Sequence, residues 1–245
     1  MPASSIVDRI DGGDTDCRIL VFAKAAVPGR VKTRLIPALG AETAAALHES
    51  LLDHTLATAL AAAPNAVQLW CAPSHLHPFF QRYSQRCALR SQIPGSLGDR
   101  MAHAFAAALR CTDRAIAIGC DCPALTALHL REAAALLKTG HDAVMTPAED
   151  GGYVLLGLTR FSSVVFERIA WSTETVLAQT RNRLQSLGWR WHETTPLWDI
   201  DRPCDYARML RENVLSGWKQ REIAHRLEPI QIDPRELTRT EEPGD

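Results

Sequence analysis

The chain alternates between short unbroken apolar runs and longer stretches whose apolar residues recur at helical spacing. Residues 19–23, Ile-Leu-Val-Phe-Ala, form a run of the length and character of a strand buried on both faces. Residues 41–63 are rich in Ala and Leu, set Leu47, Leu51 and Leu52 on one helical face, and stop at Pro64-Asn65. The same reading predicts strands at 66–72, 87–92, 115–119, 142–146, 153–158 and 189–193. It predicts helices at 73–86, 99–109, 126–137 and 174–187, and a last helix opening on Pro203. Thr126 suits an N-cap, and Gly188 suits a helix stop. Strands alternating with helices of this length predict βαβ units, a mostly parallel sheet and a three-layer α/β/α domain. Residues 1–16 read as a disordered leader, 17–227 as a single catalytic domain, and 228–245 as a flexible C-terminal tail.

Composition narrows the class. The length of 245 residues suits one α/β domain with a full core. A net charge of −1, from 27 basic and 28 acidic side chains, argues against nucleic acid as the main partner. The seven cysteines are odd in number and scattered, and no secretory h-region precedes them, so reduced thiols and a cytoplasmic location are expected. Cys120 and Cys122 lack the second cluster that a zinc site would need. No apolar run approaches the ~20 residues of a membrane span. Trp189, Trp191 and Trp198 read as core.

The chemistry collects after the strands. The run 19–23 opens into a loop carrying Lys24, Arg30, Lys32 and Arg34 around Pro28-Gly29. The chain has only four lysines, and two of them lie here. A solvated turn is the ordinary alternative. A cation cluster at the mouth of a buried strand is how open α/β sheets hold phosphates, because ligands bind beyond the carboxyl ends of their strands. Asp121 follows the strand 115–119 in Gly119-Cys-Asp-Cys-Pro123, and a carboxylate there beside phosphate suits Mg²⁺ or Mn²⁺, which prefer oxygen. Thr126 is the better cap for the next helix, which leaves Asp121 to ligation. Asp199 and Asp201 follow the last strand and offer a second carboxylate. In Glu149-Asp150-Gly151-Gly152, an antiparallel strand 153–158 would bring both acids to the same edge, with the glycines allowing close backbone approach. A plain Asp-Gly turn is the alternative. Gly98 and Arg100, in Ser96-Leu-Gly-Asp-Arg-Met101, open a helix whose free N–H groups could hold a base edge or ribose, or merely cap the helix.

Other chemistries lose ground. No Gly-x-Gly-x-x-Gly follows the first strand, no Gly-Lys-Ser/Thr is present, no serine sits in a Gly-x-Ser-x-Gly elbow, and no His pair is spaced for zinc. Metal plus phosphate remains: group transfer from an activated nucleotide, driven by positioning and charge stabilisation.

Several strings occur in a fixed order: Phe22-Ala-Lys-Ala-Ala-Val-Pro-Gly-Arg-Val-Lys-Thr-Arg-Leu35, Leu97-Gly-Asp-Arg-Met101, Gly119-Cys-Asp-Cys-Pro123, Glu149-Asp-Gly-Gly-Tyr153, Ile169-Ala-Trp-Ser-Thr173 and Trp198-Asp-Ile-Asp-Arg-Pro203. Together they resemble the DUF2064 family of GT-A-fold proteins, labelled radical-SAM/selenodomain-associated transferases, which are similar in turn to 2-phospho-L-lactate guanylyltransferase. The resemblance spans about residues 18–210. It implies a nucleotide-diphospho-sugar transferase fold, a nucleotide over the first loop, Asp121 as metal-binding acid, and Asp199 or Asp201 as its partner. Many glycosyltransferases of this fold carry Asp-x-Asp. Here Asp121-Cys122-Pro123 gives a single acid, closer to the Asp-x-Pro of nucleotidyltransferases.

The expected site follows. Lys24, Gly29, Arg30, Lys32, Arg34, Gly98 and Arg100 would bind nucleotide and phosphate. Asp121, Asp199 and Asp201 would hold Mg²⁺ or Mn²⁺, and Glu149, Asp150, Gly151 and Gly152 would face a small-molecule acceptor. Asp121, Asp150 and Lys32 would be the catalytic residues. The donor is expected to be a nucleotide sugar, with glycosyl transfer as the leading reaction. Nucleotidyl transfer from a nucleoside triphosphate with release of pyrophosphate is the alternative, and a non-catalytic nucleotide-binding protein the lesser one.

Overall fold

A computed structural model describes residues 17–215. The expected leader 1–16 and tail 228–245 lie outside them. β1 (Cys17–Lys24) leads through a 3₁₀ turn (Thr33–Leu35) and α1 (Ile36–Leu39) into the long α2 (Ala41–Ala62). There follow β2 (Val67–Ala72), α3 (Pro78–Gln81), β3 (Ala88–Ser91), α4 (Leu97–Ala108), β4 (Arg114–Ile118) and α5 (Ala127–Lys138). The rest comprises β5 (Ala143–Pro147), β6 (Tyr153–Leu158), a second 3₁₀ turn (Ser163–Phe166), α6 (Val176–Ser186), β7 (Trp191–Glu193) and α7 (Pro203–Glu212).

The strands form one seven-stranded sheet in the order β3-β2-β1-β4-β6-β5-β7. β6 runs antiparallel to β4 and β5, and the remaining pairings are parallel. Alternation along the strands sends side chains to opposite faces. Ile19, Val21 and Ala23 meet Leu52 and Leu56 of α2 and Leu130 of α5 on one face. Leu20, Trp70 and Met145 meet Phe105 of α4 and Leu184 of α6 on the other. The three-layer α/β/α arrangement expected from the sequence is the one observed. A third cluster joins Leu35, Leu47 and Leu51 to Trp198, Ile200 and Tyr206, packing the loop after β1 against the segment before α7.

Three local differences have physical causes. The helix expected over 73–86 shrinks to α3, because a proline forces the residue before it out of helical geometry, and His77 before Pro78 is extended at φ −60°, ψ 132°. α4 begins at Leu97, earlier than expected. Ser96 and Asp99 close a reciprocal capping box there, which places Gly98 inside the helix. The final strand shortens to β7 because Trp189 is drawn into the core beneath α6.

Phe105 is fully buried and stacks on Phe166 at 5.7 Å. Phe105→Ala should lower unfolding stability by about 3–5 kcal/mol. Leu128→Ala, on the exposed side of α5 at 68% exposure, should stay within about 0.5 kcal/mol. Urea unfolding of the two variants measures the contrast.

Candidate functional site

All the singled-out loops meet at the carboxyl edge of the parallel strands. Because β6 is antiparallel, its start lies there too, and the turn 148–152 stands beside the end of β4. Beyond β7, Leu197 N–H donates to Pro147 O (3.0 Å) and Glu149 N–H to Leu197 O (3.0 Å). That extension carries Asp199 and Asp201 to the edge.

The loop after β1 turns at Gly29, whose φ of +81° favours a residue without Cβ. Val31 and Leu35 anchor it in the core. Between these anchors Lys32 takes a left-handed conformation, φ 47°, ψ 41°, which is costly for a residue with a side chain and persists only where surrounding contacts enforce it. The contacts are specific. The Lys32 ammonium lies 2.7 Å from Asp121 Oδ1 and donates to Ile200 O. Ile200 N–H in turn donates to Asp121 O at 2.8 Å. Three loops, after β1, β4 and β7, are thereby tied at one point.

Burial alone would lower the Lys32 pKa; the Asp121 carboxylate outweighs it, and the net direction is up. Burial would raise the Asp121 pKa, but Lys32 and then His48 hold it below the usual carboxylate range. Only 3% of the Lys32 side chain is exposed against 46% of Asp121, so the pair is a buried cation under a carboxylate that still faces solvent.

His48 enters from the middle of α2. Its Nε2–H donates to Lys24 O (2.9 Å), which leaves Nδ1 as a lone pair 4.0 Å from Asp121 Oδ1 and from Cys120 Sγ. Burial lowers its pKa, more than Asp121 raises it, so the ring is neutral at pH 7.

The remaining acids divide. Asp150 accepts from Gly152 N–H (2.9 Å), closing the turn, and lines the same cavity as Asp121. Asp201 pairs with Arg34 in an exposed ion pair of little energetic weight. Asp199 is pushed up to about 6, first by burial and then by the neighbouring carboxylates of Asp150 and Asp121. Glu149 points to Arg208 (2.8 Å), whose guanidinium lies over Trp198 at 4.5 Å. Gly151 has φ +87°, and a Cβ there would stand 2.7 Å from Glu174 Cα. The close approach at this glycine is therefore made by the chain's own backbone.

These groups line a cavity of about 690 Å³. Of the residues expected from the sequence, Lys24, Arg30, Lys32, Arg34 and Arg100 reach it from the basic set. Asp121, Asp150, Asp199, Asp201 and Gly152 reach it from the acidic edge. Gly29, Gly98, Glu149 and Gly151 are not on its wall. Gly98 instead makes room for Trp171, whose Nε1 would stand 2.6 Å from a Cβ at that position. Trp171 does line the cavity, on a segment flanked by the left-handed residues Arg168 (φ 54°) and Ser172 (φ 66°). Sequence reasoning missed His48, Gln92 and Trp171 as wall residues. His48 gave one signal, a polar ring on the apolar stripe of α2.

Two sets of possible metal ligands line the cavity. His48, Cys120 and Asp121 present nitrogen, sulfur and oxygen within 4.8 Å of one another. The Cys120 thiol is buried and its pKa pushed well up, so it stays protonated and ligates poorly. The carboxylates of Asp121, Asp150 and Asp199 line the same cavity, though they do not come within 4.8 Å of one another as a set. They are oxygen donors of the kind Mg²⁺ and Mn²⁺ prefer, and the repulsion that Asp150 and Asp121 exert on Asp199 is what a divalent cation would relieve.

A family model described as "Uncharacterized protein conserved in bacteria (DUF2064)" matches residues 55–173. That stretch includes Gln92, Asp121 and Asp150 and excludes the loop after β1. No curated protein matches the chain. Among solved structures, a "putative nucleotide-diphospho-sugar transferase" from Desulfovibrio desulfuricans G20 aligns with TM-score 0.77 at 26% identity, over 86% of this chain and 95% of that one. CMP:2-keto-3-deoxy-manno-octonic acid synthetase complexed with CTP aligns with TM-score 0.54 at 12% identity, over 81% and 99%. A nucleotidyl transferase from Methanothermobacter thermautotroptrophicus aligns with TM-score 0.50 at 15% identity, over 81% and 98%. At such identities the last two share the fold alone. The architecture is that of the nucleotide-diphospho-sugar transferases, as the motifs implied. Among the described residues, no helix is long and apolar enough to cross a membrane.

The tied pair has two pH limbs. The depressed Asp121 contributes stability present above its unfolded pKa of ~3.9 and lost as pH falls through its folded value. The raised Lys32 contributes stability present below its unfolded pKa of ~10.4 and lost as pH rises through its folded value. Lys32→Met should flatten both limbs in a profile of Tm against pH. Asp199 has the opposite sign: a folded pKa of about 6 above the unfolded ~3.9 means that stability falls as pH rises between them. In chelator-treated buffer, Asp199→Asn should therefore melt above the wild type at pH 8 and lose that advantage near pH 3.5.

Proposed function

We propose that the protein is a divalent-metal-dependent transferase that moves a glycosyl group from a nucleotide-sugar donor to a small-molecule acceptor. One observation carries the reading: basic and acidic loops share the wall of a single cavity at the carboxyl edge of a GT-A-type sheet. Among the described residues Lys24 and Arg30 carry no ion pair and are available to phosphate oxygens. Asp121, with Asp199 or Asp201, would hold Mg²⁺ or Mn²⁺, which when bound would neutralise the diphosphate as it leaves. Lys32 positions Asp121 from beneath. Asp150, on the wall of the same cavity, would take the acceptor's proton as its oxygen replaces the nucleoside diphosphate.

Nucleotidyl transfer is the second reading. It is favoured by the single acid of Asp121-Cys122-Pro123 and by three basic side chains on the cavity wall, Lys24, Arg30 and Arg100, that carry no ion pair among the described residues.

The test is incubation with nucleotide sugars and nucleoside triphosphates, with and without Mn²⁺. Nucleoside diphosphate released from a sugar donor supports glycosyl transfer, and pyrophosphate released from a triphosphate supports the second reading. Asp121→Asn should cut either rate by about 10²-fold or more. Absence of both turnover and thermal stabilisation by any nucleotide would sink both readings.

A further inference from the structure

Gln92 follows β3 at the carboxyl edge, where its backbone N–H donates to Cys71 O at 2.9 Å. Its side chain lies across the ends of two neighbouring strands. The amide nitrogen donates to Trp70 O of β2 (2.8 Å) and to Ala23 O of β1 (3.2 Å). Both amide protons are thus committed to main-chain carbonyls. The opposite flip would set the side-chain oxygen against those same carbonyls, so the orientation is forced. Gln92 Oε1 has no partner among the described residues, and the residue lines the cavity. The result is a hydrogen-bond acceptor that cannot rotate into a donor.

Its surroundings narrow what it accepts from. The anchor Ala23 is the residue after Phe22, whose ring lines the cavity and stacks on Trp70 at 6.2 Å and 13°. Leu97 and Met101 add apolar wall. Lys24, the first phosphate cation, is the residue after Ala23. Apolar side chains with a fixed acceptor among them, next along the strand to Lys24 and with Arg100 the one cation between Leu97 and Met101, fit a flat heteroaromatic ring bearing an N–H. A ribose, hydroxylated all round, would leave its other hydroxyls against apolar side chains.

We infer that Gln92 is a specificity-determining residue, whose fixed carbonyl accepts a hydrogen bond from a nucleobase N–H of the bound nucleotide. The inference rests on the nucleotide-dependent reading above and adds how the base is chosen. A site built around a hydrogen bond rejects ligands that cannot make it, because the buried polar group is then left unpaired.

The experiment measures dissociation constants of the four common nucleoside diphosphates and triphosphates by calorimetry with Mg²⁺, for wild type and Gln92→Met. The wild type should favour one base at least tenfold. Gln92→Met, similar in volume and lacking the acceptor, should bring the bases within about threefold of one another. A loss equal for all bases would mean that Gln92 only ties β1 to β2, and would overturn the inference while leaving the nucleotide reading intact. No nucleotide binding to the wild type would overturn both. A second measurement needs no variant. Methylating the Watson–Crick-edge N–H of the preferred nucleotide should weaken wild-type binding at least tenfold, and unchanged binding would overturn the inference. A 2′-deoxy analogue should bind within threefold, and a tenfold loss there instead would assign the acceptor to ribose and overturn it.

Discussion

The edge of this sheet is organised by one buried cation. Lys32 sits at a left-handed backbone position in a loop anchored by Val31 and Leu35, and its buried ammonium meets Asp121 and the carbonyl of Ile200. An ammonium this deeply buried is tolerable only with a charge partner and a carbonyl to satisfy it. Both are supplied by loops from distant parts of the chain. The loop after β1 therefore takes its shape together with the loop after β4 and the segment after β7. The cluster of Leu35, Trp198, Ile200 and Tyr206 gives that register its apolar backing. Ordering the chemistry at the edge and closing the fold are thus one event.

The same contact rearranges the electrostatics that a residue count suggests. Cations and acids could serve as separate phosphate and metal sets. Instead Lys32 and Arg34 are engaged by Asp121 and Asp201, while Asp199, raised first by burial and then by Asp150 and Asp121, is left under-compensated. The cavity consequently has a compensated side toward β1 and an under-compensated side toward β6 and β7. On the proposed reading, a ligand carrying both phosphate and a bound divalent cation would turn its anionic part toward Lys24 and Arg30 and its metal toward the acids.

Much of this was legible in the sequence, for identifiable reasons. Buried parallel strands announce themselves as unbroken apolar runs, so β1, β4 and β5 were readable. The edge rule for such sheets then placed Asp121, Asp199 and Asp201 without any coordinates. Capping chemistry gave Thr126 its place directly. What could not be read was pairing across distance. Nothing local says that Lys32 turns inward to Asp121, that Trp171 settles against Gly98, or that Gln92 spans two strand ends. Each depends on neighbours contributed by other elements. The four-residue α1 and the shrunken α3 were lost for the opposite reason, since prolines near their starts blur a pattern too short to show a period.

Gly151 carries a mechanical consequence. Its missing side chain lets the Glu174 backbone rest against the turn of Asp150, and Leu177 N–H donates to Gly151 O at 2.9 Å. The segment that presents Trp171 runs directly into that contact. The acid turn and the aromatic wall are therefore bolted into one jaw, backed by α6. The other jaw, the loop after β1, is backed separately, by Leu35 packed with Trp198, Ile200 and Tyr206. The cavity therefore has two walls on different apolar foundations, one in the cluster beneath α6 and one in the cluster beneath α7.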